Sequence, residues 1–142
     1  MDFIVIDQDA AVFDTAFGDA TVVVQDGIMV GTGHGTVDGA PVCIKDDEQK
    51  MAPVGPVPYT TKTHTIPGMG LLSIDSLAGD QLATQTTSGG QPVILVGSQF
   101  NALFTVSVPA MQPKAPAPEP DTETEYAGTG SFSTQNTLAR GE

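Results

Sequence analysis

Side chains able to bind a metal or attack a substrate are scarce in this sequence. It has one cysteine, Cys43, and two histidines, His34 and His64. A structural zinc ion takes four nitrogen or sulfur donors in a tetrahedron. These three would need a carboxylate or water to complete the set. Cys43 stands inside an apolar run, Pro41-Val42-Cys43-Ile44, where a free cysteine serves as a small buried apolar residue. His64 stands among alternating threonines, Thr61, Thr63 and Thr65, and reads as a polar rung of a strand. The carboxylate runs Asp46-Asp47-Glu48 and Asp121-Thr122-Glu123-Thr124-Glu125 lack the looped spacing and turn glycine of a calcium site, and read as solvated acidic turns. No Gly-x-Ser-x-Gly elbow or Walker-type phosphate loop is present. Gly31-Thr32-Gly33-His34-Gly35 has the glycine density of a phosphate loop but no following lysine, and reads as a turn cluster. The expectation is a protein that is not an enzyme, with no catalytic residue, no metal site and no cofactor.

Composition narrows the partners. The chain of 142 residues has the size of one ordinary domain. Its formal net charge of −12 leaves no cationic surface for nucleic acid, because phosphate recognition works by counterion release. The start, Met1-Asp2-Phe3-Ile4-Val5-Ile6-Asp7, has no basic region and only a four-residue apolar run, unlike a signal peptide. The chain is therefore expected to be made in the cytoplasm as a soluble protein. One cysteine excludes an intrachain disulfide. Glycine and proline make up about a fifth of the residues, against an ordinary ~12%, which disfavours long helices. With no tryptophan and few aromatics, the core is expected to come largely from Val, Ile, Leu, Ala and Thr.

The elements that would position these residues are strands. Phe3–Ile6, Thr21–Val24, Ile28–Val30, Pro41–Ile44, Pro92–Val96 and Leu103–Val108 are short apolar or β-branched runs punctuated by Gly, Asp and Pro. The spacing predicts one short helix over 71–82, with apolar residues at 71, 74, 77 and 78, limited to about two turns by Gly70 and Gly79. Asp75 is an alternative N-cap for a single turn following a strand. Pro109 to Glu125 carries five prolines and reads as an extended polyproline-like arm, followed by a Thr-, Ser- and Gly-rich tail from Tyr126 to Glu142. The tail is either solvated or adds a strand around 130–134. The expected division is a β domain over 1–112 and a Pro-rich acidic arm and tail over 113–142.

An internal repeat organises the chain. Gly39-Ala40-Pro41-Val42-Cys43-Ile44-Lys45-Asp46-Asp47 lies over Gly90-Gln91-Pro92-Val93-Ile94-Leu95-Val96-Gly97-Ser98 at a constant offset of 51. Glycine turns the chain, proline opens a strand where no ladder donor is needed, and a polar turn closes it. Two such units, near 39–46 and 90–97, can cover each other by rotation about one axis. A fainter third copy is read at Gly18–Val24.

The Gly-x-Pro-Val-x-Ile pattern, with its Gly33-His34-Gly35 lead-in, resembles the repeat of PAAR-type proteins, the spike tips of contractile injection systems, including type VI secretion and phage-tail-like particles. No literal Pro-Ala-Ala-Arg is present, so the match is to a PAAR-like relative. The resemblance implies a compact, cone-like, all-β structure of short strands with pseudo-threefold character. It implies capping of a trimeric β-helical spike, transient contact with a target membrane, effector cargo as a further partner, and ejection with the particle. It also implies zinc held near the apex by three histidines and a cysteine, a set this chain lacks. From another class, a β-sandwich adhesion or carbohydrate-binding module would show two stacked sheets instead of rotationally related strands.

Overall fold

The structure is a computed structural model that describes residues 2–142. It is all-β, as expected. The strands run β1 (Asp2–Phe3), β2 (Ala10–Phe13), β3 (Ala16–Phe17), β4 (Ala20–Val22), β5 (Gly27–Ile28), β6 (Thr36–Val37), β7 (Ala40–Pro41), β8 (Val54–Thr61) and β9 (Gly68–Ser76). They continue as β10 (Leu82–Ser88), β11 (Gln91–Ile94), β12 (Phe100–Val108), β13 (Met111–Gln112), β14 (Glu119–Pro120), β15 (Glu125–Ser133) and β16 (Arg140–Gly141). One α-helical turn, α1 (Asp47–Lys50), interrupts them.

Eight strands form one sheet in the order β3-β4-β8-β9-β12-β15-β2-β5. Only Asp14 and Thr15 separate β2 from β3, so one bent run of chain serves both flanks of the sheet. Asp14 N–H bonds the carbonyl of Thr129 and Thr15 accepts from Val22 N–H, which draws the flanks together. The sheet therefore curls on itself. Inside the curl, Phe100 packs on Phe13 and Phe132 with centroids 5.6 and 5.0 Å away, and Phe104 packs on Tyr59 at 5.1 Å. Every aromatic residue except Phe3 lies in this core, so the scarce aromatics are concentrated where an aliphatic core was expected. Such rings remove 150–250 Å² each from water. Gly130 makes room for them: a Cβ there would stand 2.6 Å from the Phe100 ring and from the Val12 carbonyl.

The helix expected over 71–82 is instead the rest of strand β9 up to Ser76, followed by a single 3₁₀ turn at Gly79–Gln81. Gly68, Gly70, Leu72 and Ile74 are buried and the residues between them are half-buried, a period of two. The apolar spacing at 71, 74 and 77 mimicked a helical face because both sides of the strand are partly covered. Strand β8 ends at Thr61, so Thr63, Thr65 and His64 are not strand rungs; His64 sits in the following turn, where Thr61 N–H bonds its carbonyl.

The proline-rich segment is also built in. β13 and β14 pair as a hairpin, with Met111 opposite Pro120, instead of running as a free extended arm. Residues 125–133 of the expected tail are β15, which lies between β12 and β2. Asp121, expected in a solvated turn, is buried and ties this segment down. Its Oδ2 accepts from Tyr59 Oη at 2.9 Å and Tyr126 Oη at 2.6 Å, and its Oδ1 accepts from Glu123 N–H at 3.0 Å. Tyr59 Oη in turn accepts from Ala110 N–H at 2.9 Å.

Burial alone would push the Asp121 carboxyl up. The bonds from Tyr126, Glu123 N–H and Tyr59, together with nearby His64, outweigh it and hold the group below the ordinary value of 3.8. Burial and the same carboxylate push Tyr59 up to about 12. A lowered native value means the ionised carboxylate stabilises the fold above pH 3.8, and that stability is lost as pH falls through the lowered value. Asp121→Ala leaves two buried hydroxyls without their acceptor and is expected to cost roughly 2 kcal/mol in urea denaturation at pH 7. The gap to wild type should narrow in acid below pH 3.8.

Candidate functional site

The two repeats do pair by rotation, and a third strand completes them. Val5 N–H bonds the carbonyl of Ile94 at 2.9 Å, Ile94 N–H bonds Cys43 at 2.9 Å, and Cys43 N–H bonds Val5 at 2.8 Å. This closed cycle is flanked by a second: Asp7 N–H to Pro41, Lys45 N–H to Pro92 and Val96 N–H to Phe3, at 2.8–2.9 Å. Bridges follow the same rotation, Ile6 with Val42, Ile44 with Val93, and Leu95 with Ile4. Residues 3–7, 41–45 and 92–96 therefore form a three-strand ring about a pseudo-threefold axis. The third copy lies at Phe3–Asp7 and not at 18–24, which is occupied by β4 of the sheet.

Alternation along the ring strands divides two cores. Val5, Cys43 and Ile94, all fully buried, face the aromatic interior. Ile4, Ile6, Val42, Val93 and Leu95 form a thin second cluster with Val37 and Ala83 on the other side. Two of the ring strands, 41–45 and 92–96, belong to hairpins. The loops Asp38-Gly39 and Gly89-Gly90 have φ of 52°, 86°, 60° and 82°, the pair of positive values that a two-residue primed turn requires. Thr36 pairs with Pro41 and Thr87 with Pro92, which preserves the offset of 51. At the third corner β16 pairs with β1, Arg140 opposite Phe3 and Gly141 opposite Asp2, in place of a hairpin turn.

The exit from each strand repeats too. Gln8, Asp46 and Gly97 have φ of 71°, 76° and 55°. Next come Asp9 and Asp47, both buried, whose carboxylates accept from Ile6 N–H at 2.8 Å and Ile44 N–H at 3.0 Å. Each also holds a crossing segment: Asp9 takes Gln135 N–H, and Asp47 takes Thr32 N–H and Oγ1. In the third copy the roles reverse, and Ser98 Oγ donates to Asp80 of the crossing segment at 3.0 Å. Asp46-Asp47-Glu48 is thus only partly a solvated turn, because Asp47 and Glu48 are buried.

The three candidate metal donors do not converge. Cys43 is at the ring centre, fully buried, and desolvation followed by the charge of Asp47 pushes its thiol up. His34 is exposed at a ring corner with its ring against Gly89, and His64 occupies the turn after β8. Among the described residues no three His, Cys, Asp or Glu side chains are grouped to hold a metal ion. The zinc set implied by the resemblance therefore does not fit this chain. What sequence reading missed are Asp9, Asp47 and Asp121, structural carboxylates. An acid placed directly after a turn position, as in Gln8-Asp9 and Asp46-Asp47, is the readable sign of the first two.

A closed strand ring flanked by hairpins defines a structural module with an approximately threefold end. Over residues 1–142 the sequence matches the family described as contractile injection system spike tip protein, and the chain belongs to that family. No curated protein matches it. It is thus a component of the injection particle, associated with the spike apparatus. Among the described residues no helix is long and apolar enough to cross a membrane.

Two outcomes check this geometry. A short turn joining Glu142 to Asp2, with the opening moved to Gly89-Gly90, should leave the ring intact. Slow amide exchange at Val5, Cys43 and Ile94 would report it. Glu48 has a buried Oε2 without a hydrogen-bond partner. Burial, and the neighbouring Asp46 and Asp47, push its carboxyl above the ordinary 4.5 against the backbone bonds from Glu48 and Asp46. The stability it confers is present below pH 4.5 and is lost as pH rises through the raised value. Glu48→Gln should therefore raise the thermal midpoint at pH 7 and converge with wild type in acid.

Proposed function

We propose that this chain caps the trimeric spike of its injection particle by seating the ring end, axis on axis, against the spike's threefold end. The observation that carries the reading is the cyclic bonding of Val5, Ile94 and Cys43. A single chain contacting three identical chains at once needs three similar faces, and the two rotated hairpins with the β16–β1 pair supply them. The family membership supports a mechanical role, with the tip placed ahead of the spike to aid membrane puncture or carry effector cargo. The chain then acts without catalysis, is made in the cytoplasm, and leaves the cell with the particle.

A β module can dock by adding strands to unpaired backbone edges. The ring strands leave no such edge, since each pairs with the other two and with its own arm. Docking must instead use side chains and the outer hairpin arms. The adhesion or carbohydrate-binding alternative anticipated two stacked sheets, whereas the protein has one curled sheet and a ring.

Mixed with the trimeric spike protein of its own particle, the chain should appear in native mass spectrometry as one tip per three spike chains. Asp38→Arg together with Asp46→Arg reverses exposed charge at two ring corners. This double variant should keep its fold and weaken the complex at least tenfold. A wild-type mixture that yields only free tip and free spike would contradict the reading.

A further inference from the structure

We infer that the proline-rich hairpin, residues 109–120, is the leading point of the tip, and not a tether for cargo or a spacer toward the spike. The inference rests on the docking of the ring end proposed above, and the topology gives it a definite place. β12 leaves the ring directly after the third ring strand, and Asn101 at its start lies opposite Ser76. It runs nine residues, about 30 Å, away from the ring. At its far end Pro109 turns the chain into β13, which bridges to Ile66 in the β8–β9 connection. The hairpin therefore stands at the end of the sheet opposite the ring.

Its chemistry differs from that of the ring end. Pro113 to Pro120 are all exposed. Five prolines fall within 109–120, each fixing its φ and removing a backbone donor, so this projecting loop has little freedom to collapse. Its only charges are Lys114 and Glu119, which face each other at 3.0 Å and cancel. Exposed carboxylates stand at the ring corners, Asp38, Asp46, Asp80 and Glu142 among them, while Asp19, Glu123 and Glu125 lie beside the root of the hairpin. The ring corners thus carry exposed acids, whereas the hairpin itself is a proline-stiffened loop with no net charge. The root of the point is held by the Asp121 bonds to Tyr59 and Tyr126, which couple a load on the hairpin into the aromatic core.

Two measurements on the spike–tip complex decide the orientation. Cys43 is fully buried and should not react with maleimide in the native chain, so a single added thiol reports its own surroundings. Ala117→Cys, in the hairpin, should label at the same rate free and in complex. Gln91→Cys, in a ring hairpin, should slow at least tenfold. Hydrogen exchange of the unmodified chain supplies the same comparison without substitution. Amides of β6, β7, β10 and β11 should gain protection in the complex, and Met111 and Gln112 should not. Protection of the hairpin with the ring left open would overturn the orientation while leaving capping itself intact. Absence of any complex would overturn the docking and this inference together.

Discussion

A β-strand carries hydrogen-bonding groups on two edges, and a ring of three strands can satisfy one edge of every strand only if the cycle closes. That closure is the constraint from which the rest of this structure follows. Val5, Ile94 and Cys43 each donate to the next and accept from the one before, so no one of the three can be displaced without orphaning groups on the other two. The outer edges are then taken by the hairpin arms, and the side chains must alternate between two cores. With the ring fixed, β12 starts from one corner, β2 from another, and the bent run of β2 and β3 pulls the sheet into its curl.

The high acid content gains a structural meaning from the same constraint. Outside the large sheet the strands are short, so turn and crossing segments need acceptors for their backbone N–H groups. Carboxylates supply them. Asp2 accepts from Gly97 N–H, Asp7 from Gly31 N–H, Asp9 from Ile6 and Gln135, Asp47 from Thr32 and Ile44, and Asp121 from Glu123. Charge-assisted bonds of this kind are about twice as strong as neutral ones. Part of the −12 charge is therefore scaffolding, and the exposed remainder is spread over the ring corners and the sheet.

The β class, the offset of 51 and the rotation between its two copies were legible because glycine pairs, proline and an apolar run mark each hairpin. The third copy was not. It has no Gly-x-Pro entry, since β16 and β1 meet there without a turn, and Phe3-Ile4-Val5-Ile6 alone looks like any strand. Strand β9 resembled a helix because burial on both faces blurs a period of two. The aromatic core was hidden in composition, since seven rings scattered from Phe13 to Phe132 meet only through long-range pairing. The buried carboxylates at 47 and 121 looked like solvated turns, and Asp9 stood out in no way, because nothing local reveals which segment crosses them. Cys43, His34 and His64 lie apart in the fold, which nothing in their spacing along the chain reveals.

The central claim is that the pseudo-threefold axis of the ring lies on the threefold axis of the spike. Electron cryomicroscopy of the assembled spike and tip measures that relation directly. The account predicts coincident axes, with the hairpins at 36–41 and 87–92 and the pair formed by β16 and β1 each over a different spike chain. A tip whose ring axis lies across the spike axis, or which meets the spike through residues 109–120, would contradict it.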